Sequence, residues 1–203
     1  MSKKDIETET TVQTSTPLPA EPAALGLTGL AVAALVIGSG YMGLTSGIDK
    51  VLMIPWILFF GASAQLIAGI IDFKRNNIFG ATVFTIYAMA MFSISLTLFF
   101  TIFGEVNFDI AHYGFGLIAI LIFTLIATAA SLMAHKILLV ILLVVDVAVL
   151  GLIFHYLAGA PTMVGGVFLI LTSVLSFYAV AGILINTMAG KELIPLGAPI
   201  WKP

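Results

Sequence analysis

Residues 137–158 read ILLVILLVVDVAVLGLIFHYLA, an apolar run that contains one carboxylate, Asp146, and no Lys or Arg. About 20 such residues, wound into an α-helix, span the roughly 30 Å hydrocarbon core of a bilayer. Five further apolar segments of about this length occupy residues 25–45, 51–71, 80–103, 114–134 and 162–188. The pattern predicts an all-α integral membrane protein with six transmembrane helices.

The composition of the 203-residue chain agrees with a lipid environment. The chain is 61% hydrophobic and 9% charged, with a net charge of −2, whereas a soluble domain carries roughly 25% charged residues. We therefore expect the lipid bilayer as a partner, and no nucleic acid, because no basic surface is available. The absence of Cys excludes disulfides and Cys-based metal sites. No nucleotide-binding loop and no catalytic Ser or Cys arrangement is visible, so we expect no enzyme activity, no metal and no cofactor.

Charge placement predicts the topology. Residues 1–20 are polar and predict a disordered tail, residues 21–190 form the six-helix membrane domain, and residues 191–203 form a short C-terminal tail. An even number of spans puts both termini on one side of the membrane. That side carries seven of the eight basic residues, which are Lys3, Lys4, Lys74, Arg75, Lys136, Lys191 and Lys202, and the opposite side has only Lys50. Positive residues favour the cytoplasm, so both termini and both tails are predicted to be cytoplasmic.

Two polar residues stand out inside the apolar segments. Gln65 shares a helix face with Gly61 and Gly69, four residues away on either side, so its amide could tie two helices together or line a polar pathway. Asp146 lies mid-span, where a carboxylate costs roughly 2.5–3.5 kcal/mol on insertion scales. Low dielectric favours the neutral, protonated form. Asp146 is thus either a proton-binding group or a protonated packing residue.

The third span carries hydroxyl groups whose role is open. Thr85 and Ser93 lie on one face with Met89 and Thr97, at spacings of four. Hydroxyls in such helices usually donate to their own i−4 carbonyl, and the alternative is that they line a pathway. Tyr87 is too deep for the interfacial aromatic belt, so its hydroxyl needs a protein partner or water in a pore.

Three stretches carry a family resemblance that covers about residues 21–197. Residues 21–30, EPAALGLTGL, match an opening motif Asn-Pro-x-Pro-Leu-Gly-Leu at Pro22, Leu25, Gly26 and Leu27, with Glu21 in place of Asn and Ala24 in place of the second Pro. Residues 61–93 match a Gln-containing second helix, a short charged loop with Asn-x-Phe-Gly, and a third helix with a central Tyr. Residues 192–197, ELIPLG, resemble the ending of the same sequence pattern. Together these stretches resemble the acetate uptake transporter family.

The resemblance implies a protomer of six helices, assembled as a homo-hexamer in the plasma membrane, with a pathway through each protomer. The family moves acetate and sometimes succinate, by a channel-like or proton-coupled route. By motif register its hydrophobic constriction falls at Leu30, Tyr87 and Val145, and two of these differ from the family, which predicts a wider constriction. The first helix begins near Pro22, Leu25 and Gly26, and its exposed amides could attract a carboxylate at the cytoplasmic mouth.

Two other functions fit the same residues. A urea- or amide-type channel for a neutral small solute would equally explain why the spans contain no Lys or Arg. A membrane scaffold subunit without transport activity would leave Gln65 and Asp146 as packing residues.

Overall fold

The computed structural model describes residues 17–45, 47–104 and 109–202. Most of the predicted N-terminal tail, residues 1–16, lies outside these ranges. The described residues contain no β-strand, and six helices are long and apolar enough to cross a membrane: α1 (Ala23–Tyr41), α2 (Asp49–Lys74), α3 (Ile78–Phe103), α4 (Ala111–Ser131), α5 (Lys136–Ala158) and α6 (Met163–Ala189). The predicted all-α architecture with six spans is confirmed.

The ends of the helices follow local sequence signals. Asn77 caps α3, because its side-chain oxygen accepts a hydrogen bond from the Gly80 N–H at 3.2 Å. Helices α5 and α6 end at Gly159 and Gly190, whose positive φ values of 68° and 64° suit glycine. The apolar segments 51–71 and 80–103 leave residues 72–79 as an expected connecting loop, and this expectation was wrong in extent. Helix α2 continues to Lys74 and includes Asp72 in its last turn.

Helix α2 changes its winding along its length. A 3₁₀ helix (Gly47–Leu52) overlaps its start and leads into a short α-helical turn (Met53–Trp56). A π-helix (Ile57–Ala64) follows, and the α-helix resumes at Gln65–Lys74. Segments of π-helix are rare and often occur at functional sites. Here the π segment packs closely against α1, since a Cβ atom on Gly29 would lie 2.5 Å from the Phe60 carbonyl oxygen. Small residues at this contact let the two backbones approach.

The six helices close into a ring. Helix α1 packs most extensively against α6 and also against α2, α2 packs against α3, and α5 packs between α4 and α6. The close contact of α1 with α6 depends on Gly38, where a Cβ atom would lie 2.9 Å from the Gly166 carbonyl oxygen. The contact between α3 and α4 completes the ring and is much the smallest of the neighbouring contacts. The ring leaves space along its axis.

The two ends of the ring differ in composition. We call the end at which described residues 17–22 and 190–202 lie, with turns 75–77 and 132–135, the terminal face, and the end with Gly104, Asp109 and turn 159–162 the distal face. The C-terminal segment folds back on the terminal face, where the Ile200 and Trp201 N–H groups donate to the Leu132 carbonyl at 3.0 and 2.9 Å. The Asn186 side chain donates to the Ile194 carbonyl at 2.8 Å and fixes the start of this segment.

Candidate functional site

A cavity of about 1060 Å³ enters the ring from the terminal face. Its mouth is lined by Glu21, Asp72 and Lys191, and its inner end by Leu30, Gln65 and Tyr87, while most of its wall is apolar. All six helices contribute residues to this wall. The terminal-face cavity therefore runs along the axis of the ring.

A second cavity of about 400 Å³ enters from the distal face, and it shares no lining residue with the first. Along α1 the wall of the first cavity ends at Leu30 and that of the second begins at Ile37. Seven residues of α-helix span about 10 Å. Buried side chains that line neither cavity fill this interval, among them Ala34, Met91 and Val145. We call this layer the plug.

The three residues of the expected constriction lie at and beside the plug. Leu30 (6% exposed) and Tyr87 (4%) line the inner end of the terminal-face cavity. Val145 is also buried, at 5% exposure, and lies four residues, about one turn of α5, beyond the cavity-lining Ile141. Their joint role as the constriction stays a prediction.

Tyr87 of α3 contacts α4 where the packing between these two helices is least extensive. Its hydroxyl donates to the Thr124 hydroxyl at 3.2 Å, and Thr124 in turn donates to the Ile120 carbonyl at 2.8 Å. The Tyr87 ring meets Phe123 edge to face at a centroid distance of 6.0 Å. The hydroxyl that the sequence left without a partner is thus bound to the neighbouring helix.

Helix α4 also binds Asp146 of α5, through a residue one turn beyond Thr124. The Thr128 hydroxyl, four residues after Thr124, donates to Asp146 Oδ2 at 2.8 Å. Asp146 Oδ1 is buried and has no hydrogen-bond partner among the described residues. Asp146 does not line either cavity, so it lies behind the wall and beside the plug residue Val145.

Gln65 begins the α-helix directly after the π segment and is fully buried. Its Nε2 donates to the Gly61 carbonyl at 2.7 Å. Because a carbonyl can only accept, this bond assigns the nitrogen and the oxygen of the amide. Its Oε1 faces no hydrogen-bond donor among the described residues, although the side chain lines the terminal-face cavity. The inner end of the cavity therefore has a buried acceptor without a partner beside it and no fixed positive charge.

The other hydroxyls expected on α3 take part in packing. Ser93 donates to the Met89 carbonyl at 3.0 Å, four residues back. Thr85 is pressed against Gly69 of α2, with its hydroxyl buried and without a partner among the residues described. Neither residue lines either cavity.

The start of α1 forms part of the mouth. Pro22 occupies the cap position without a side-chain bond, and Glu21 accepts from the Ala23 N–H at 3.3 Å. Gly26 is buried under the Phe84 ring, while Leu25 is 42% exposed on the outside of the ring. The amides at this end are therefore already bound in part by a carboxylate of the chain itself.

Asp72 is the polar residue of the mouth that the sequence did not single out. It is fully buried, accepts a hydrogen bond from Asn77 Nδ2 at 3.0 Å, and lies 4.0 Å from the Arg75 guanidinium. Arg75 also pairs with Glu21 at 2.8 Å. The available signal was the short spacing of Asp72, Arg75 and Asn77, which lie in a six-residue stretch between the predicted second and third spans.

The position of Asp72 should require glycine at residue 80, because a Cβ atom there would overlap the Asp72 carboxylate. Overpacking of this kind costs about 1–3 kcal/mol, so we expect Gly80→Ala to lower the melting temperature of the purified protein by roughly 3–10 °C. Gly116→Ala is the matched control, since a Cβ atom there has open space. In an Asp72→Ala background the cost of Gly80→Ala should largely disappear. An equal cost in both backgrounds would show that Asp72 is not the cause.

Comparison with known proteins agrees with this architecture. Residues 6–192 match the profile of the GPR1/FUN34/yaaH family. The succinate-acetate/proton symporter SatP of Escherichia coli K12 is 25% identical over 181 residues, which cover 88% of this chain and 95% of that protein. The protein of the same name from Shigella flexneri matches with the same identity and coverage.

A solved structure, that of the bacterial acetate channel SatP, shares the fold. Its TM-score is 0.82 at 23% identity, with 88% of this chain and 99% of that chain covered. With its six apolar helices, the chain is a multi-pass protein of the plasma membrane. Since the family profile matches most of its length, the chain belongs to the GPR1/FUN34/yaaH family, which confirms the resemblance found in its motifs.

Proposed function

We propose that this chain transports small monocarboxylates, with acetate as the principal substrate and succinate as a larger one. The observation that carries the proposal is the pair of cavities on opposite faces of one six-helix ring, separated by a plug about 10 Å thick. The relatives named above are a succinate-acetate/proton symporter and an acetate channel. The pathway would run from Glu21 and Asp72 past Gln65 to the constriction at Leu30, Tyr87 and Val145.

The acid would cross the plug in its neutral form. Moving an unpaired carboxylate into an apolar layer is very costly. The plug and the helical turns on either side of it contain no Lys or Arg that could pair with the carboxylate. The free acceptor Gln65 Oε1 suits the O–H of a protonated acid, whereas it would repel an anion. Transport would therefore carry a proton with each acetate.

Uptake into proteoliposomes tests the proposal. Labelled acetate should enter faster than into protein-free liposomes, and the excess should rise as the outside is made more acidic. Labelled urea supplied in parallel tests the second candidate, a neutral-solute channel, which the unpaired Gln65 acceptor also fits. Urea flux without acetate flux would favour that channel, and no flux of either would favour a scaffold subunit.

Both termini are proposed to face the cytoplasm. Five basic residues of the described chain lie at the terminal face, and Lys50 lies at the distal face. Positive residues are retained on the cytoplasmic side. We also propose that protomers assemble as a homo-hexamer in the bilayer, which native mass spectrometry of the detergent-purified protein would test.

The topology can be read with single cysteines, because the chain has none of its own. Cys at Lys50 should react with a membrane-impermeant thiol reagent added to intact cells. Cys at Lys136 should react only after the cells are opened. The reverse pattern would place the termini outside.

Asp146 is proposed to tune the rate with pH without being essential. Asp146→Asn keeps the shape and the bond to Thr128 but cannot titrate, so it should imitate the protonated form. We expect near-parental flux at acid pH, higher flux than the parent at neutral pH, and a flatter pH profile in proteoliposomes.

Two outcomes would contradict this role. Loss of all transport in a folded Asp146→Asn variant would show that the carboxylate is obligatory. A pH profile identical to the parent's would show that Asp146 only contributes packing.

A further inference from the structure

Two buried oxygens without a hydrogen-bond partner lie in the wall of the terminal-face cavity. Asp72 Oδ2 and Gln65 Oε1 meet no donor among the described residues, and both side chains are fully buried. Asp72 follows Gln65 by seven residues, which is two turns and about 10 Å along the same face of α2. One such oxygen therefore lies at the mouth of the cavity and the other at its inner end.

The two oxygens differ in what they can do with a proton. An amide oxygen such as Gln65 Oε1 accepts a hydrogen bond but does not take the proton, whereas a carboxylate such as Asp72 can bind the proton and release it again. A protonated acid beside Gln65 therefore keeps its proton. Beside Asp72 the same acid can exchange it.

The contacts of Asp72 leave Oδ2 for this exchange. Its Oδ1 accepts a hydrogen bond from Asn77 Nδ2 at 3.0 Å and lies 4.0 Å from Arg75 Nε, and Arg75 is held in turn by Glu21 at 2.8 Å. Oδ2 lies against Gly80, which also lines the cavity and has no side chain to cover it. Oδ2 reaches the cavity by rotation about the Cβ–Cγ bond, a torsion with a broad range in aspartate.

The charges around the mouth suit an acid that has lost its proton. Arg75 and Lys191 lie beside Asp72 at this end, while the inner end has no fixed positive charge. An acetate anion formed at the mouth thus has cations nearby. The other titratable side chains that line the cavity, among the residues described, are Glu21, Tyr87, His135, Lys191 and Glu192.

We propose that Asp72 exchanges the transported proton with the acid at the mouth of the terminal-face cavity. The proposal rests on the transport function proposed above. As an acid leaves, its O–H bond breaks, an O–H bond forms on Asp72 Oδ2, and the acid departs as the anion. Asp72 then gives the proton to water, which becomes hydronium, and returns to the carboxylate. In the opposite direction, protonated Asp72 gives its proton to an entering anion.

Rescue by a diffusible buffer tests this role in proteoliposomes. Labelled-acetate flux, taken as the excess over protein-free liposomes at constant neutral pH and ionic strength, should not depend on buffer concentration in the parent. Asp72→Asn keeps the shape and the bond from Asn77 but cannot carry a proton. Its flux at low buffer should fall at least about tenfold, since a positioned acid–base group contributes roughly 10²–10⁴-fold. Concentrated imidazole, which carries protons itself, should restore most of this flux.

Matched variants separate proton exchange from a structural role. Asp72→Glu, which keeps an acidic group, should remain insensitive to buffer. Asp49→Asn, at the other end of α2, should behave as the parent, because Asp49 is exposed and lines neither cavity.

Three results would overturn the proposal. The first is parental flux in Asp72→Asn at low buffer, and the second is a folded Asp72→Asn protein whose lowered flux imidazole does not restore. The third needs no substitution and is a parental flux that itself rises with buffer concentration. Absence of acetate flux in the parent would instead contradict the transport function.

Discussion

Val145→Phe should reduce acetate flux in proteoliposomes by at least about tenfold, which corresponds to about 1.4 kcal/mol of added barrier. Val145 lies in the plug, where it is 5% exposed and lines neither cavity. Close-packed interiors have little room for extra volume, so a phenyl ring here has to fill the route between the cavities. The measurement is the initial uptake rate of labelled acetate per reconstituted protomer.

Val147→Phe provides the matched control on the same helix. Val147 is 37% exposed on the outside of the ring, so its ring would meet lipid and leave flux near the parental value. Both variants should be compared at equal expression and with equal melting temperatures. Flux retained in a folded Val145→Phe protein would remove Val145 from the pathway.

Tyr87→Ala should change which acids pass. Removing the ring opens the inner end of the terminal-face cavity and breaks the hydroxyl bond to Thr124 that ties α3 to α4. We expect the flux of three- and four-carbon monocarboxylates, relative to acetate, to rise by about fivefold to tenfold, or roughly 1–1.4 kcal/mol of barrier. The cost in stability should be large, about 3–5 kcal/mol, so flux must be normalised to folded protein.

Tyr87→Phe separates the ring from its hydroxyl. It keeps the ring and its edge-to-face contact with Phe123 but loses the bond to Thr124. We expect its substrate range to match the parent's, since the space is unchanged. A range that widens in Tyr87→Phe as much as in Tyr87→Ala would mean that the contact between α3 and α4, and not the ring volume, limits passage.

The six spans could be predicted because each depends on a local property. A run of about 20 apolar residues has a favourable transfer free energy into lipid whatever its neighbours do. The ends of the helices were less predictable. Asp72 looked like a loop residue, yet it lies in the last turn of α2, where Asn77 and Arg75 hold it against Gly80. The spacing of these residues was visible in the sequence, but their contacts depend on where α2 ends and α3 begins.

The cavities could not be predicted from sequence patterns, because they depend on how the ring closes. Gln65 and Tyr87 were visible as isolated polar residues, but nothing local shows that both line one cavity and that Asp146 lies behind its wall. The π-helix over Ile57–Ala64 was equally hidden. It accompanies the close contact with α1 at Gly29, a tertiary feature with no signal in the α2 sequence alone.

Chemical blockade at Leu30 tests most directly whether acetate crosses through the ring. Leu30 lines the inner end of the terminal-face cavity, and Leu35 on the same helix is 44% exposed on the outside. In this chain without native Cys, Leu30→Cys and Leu35→Cys are each modified with a small cationic thiol reagent, and intact mass confirms complete reaction. Labelled-acetate flux should be lost in modified Leu30→Cys and retained in modified Leu35→Cys. Undiminished flux through fully modified Leu30→Cys would contradict a pathway through this cavity.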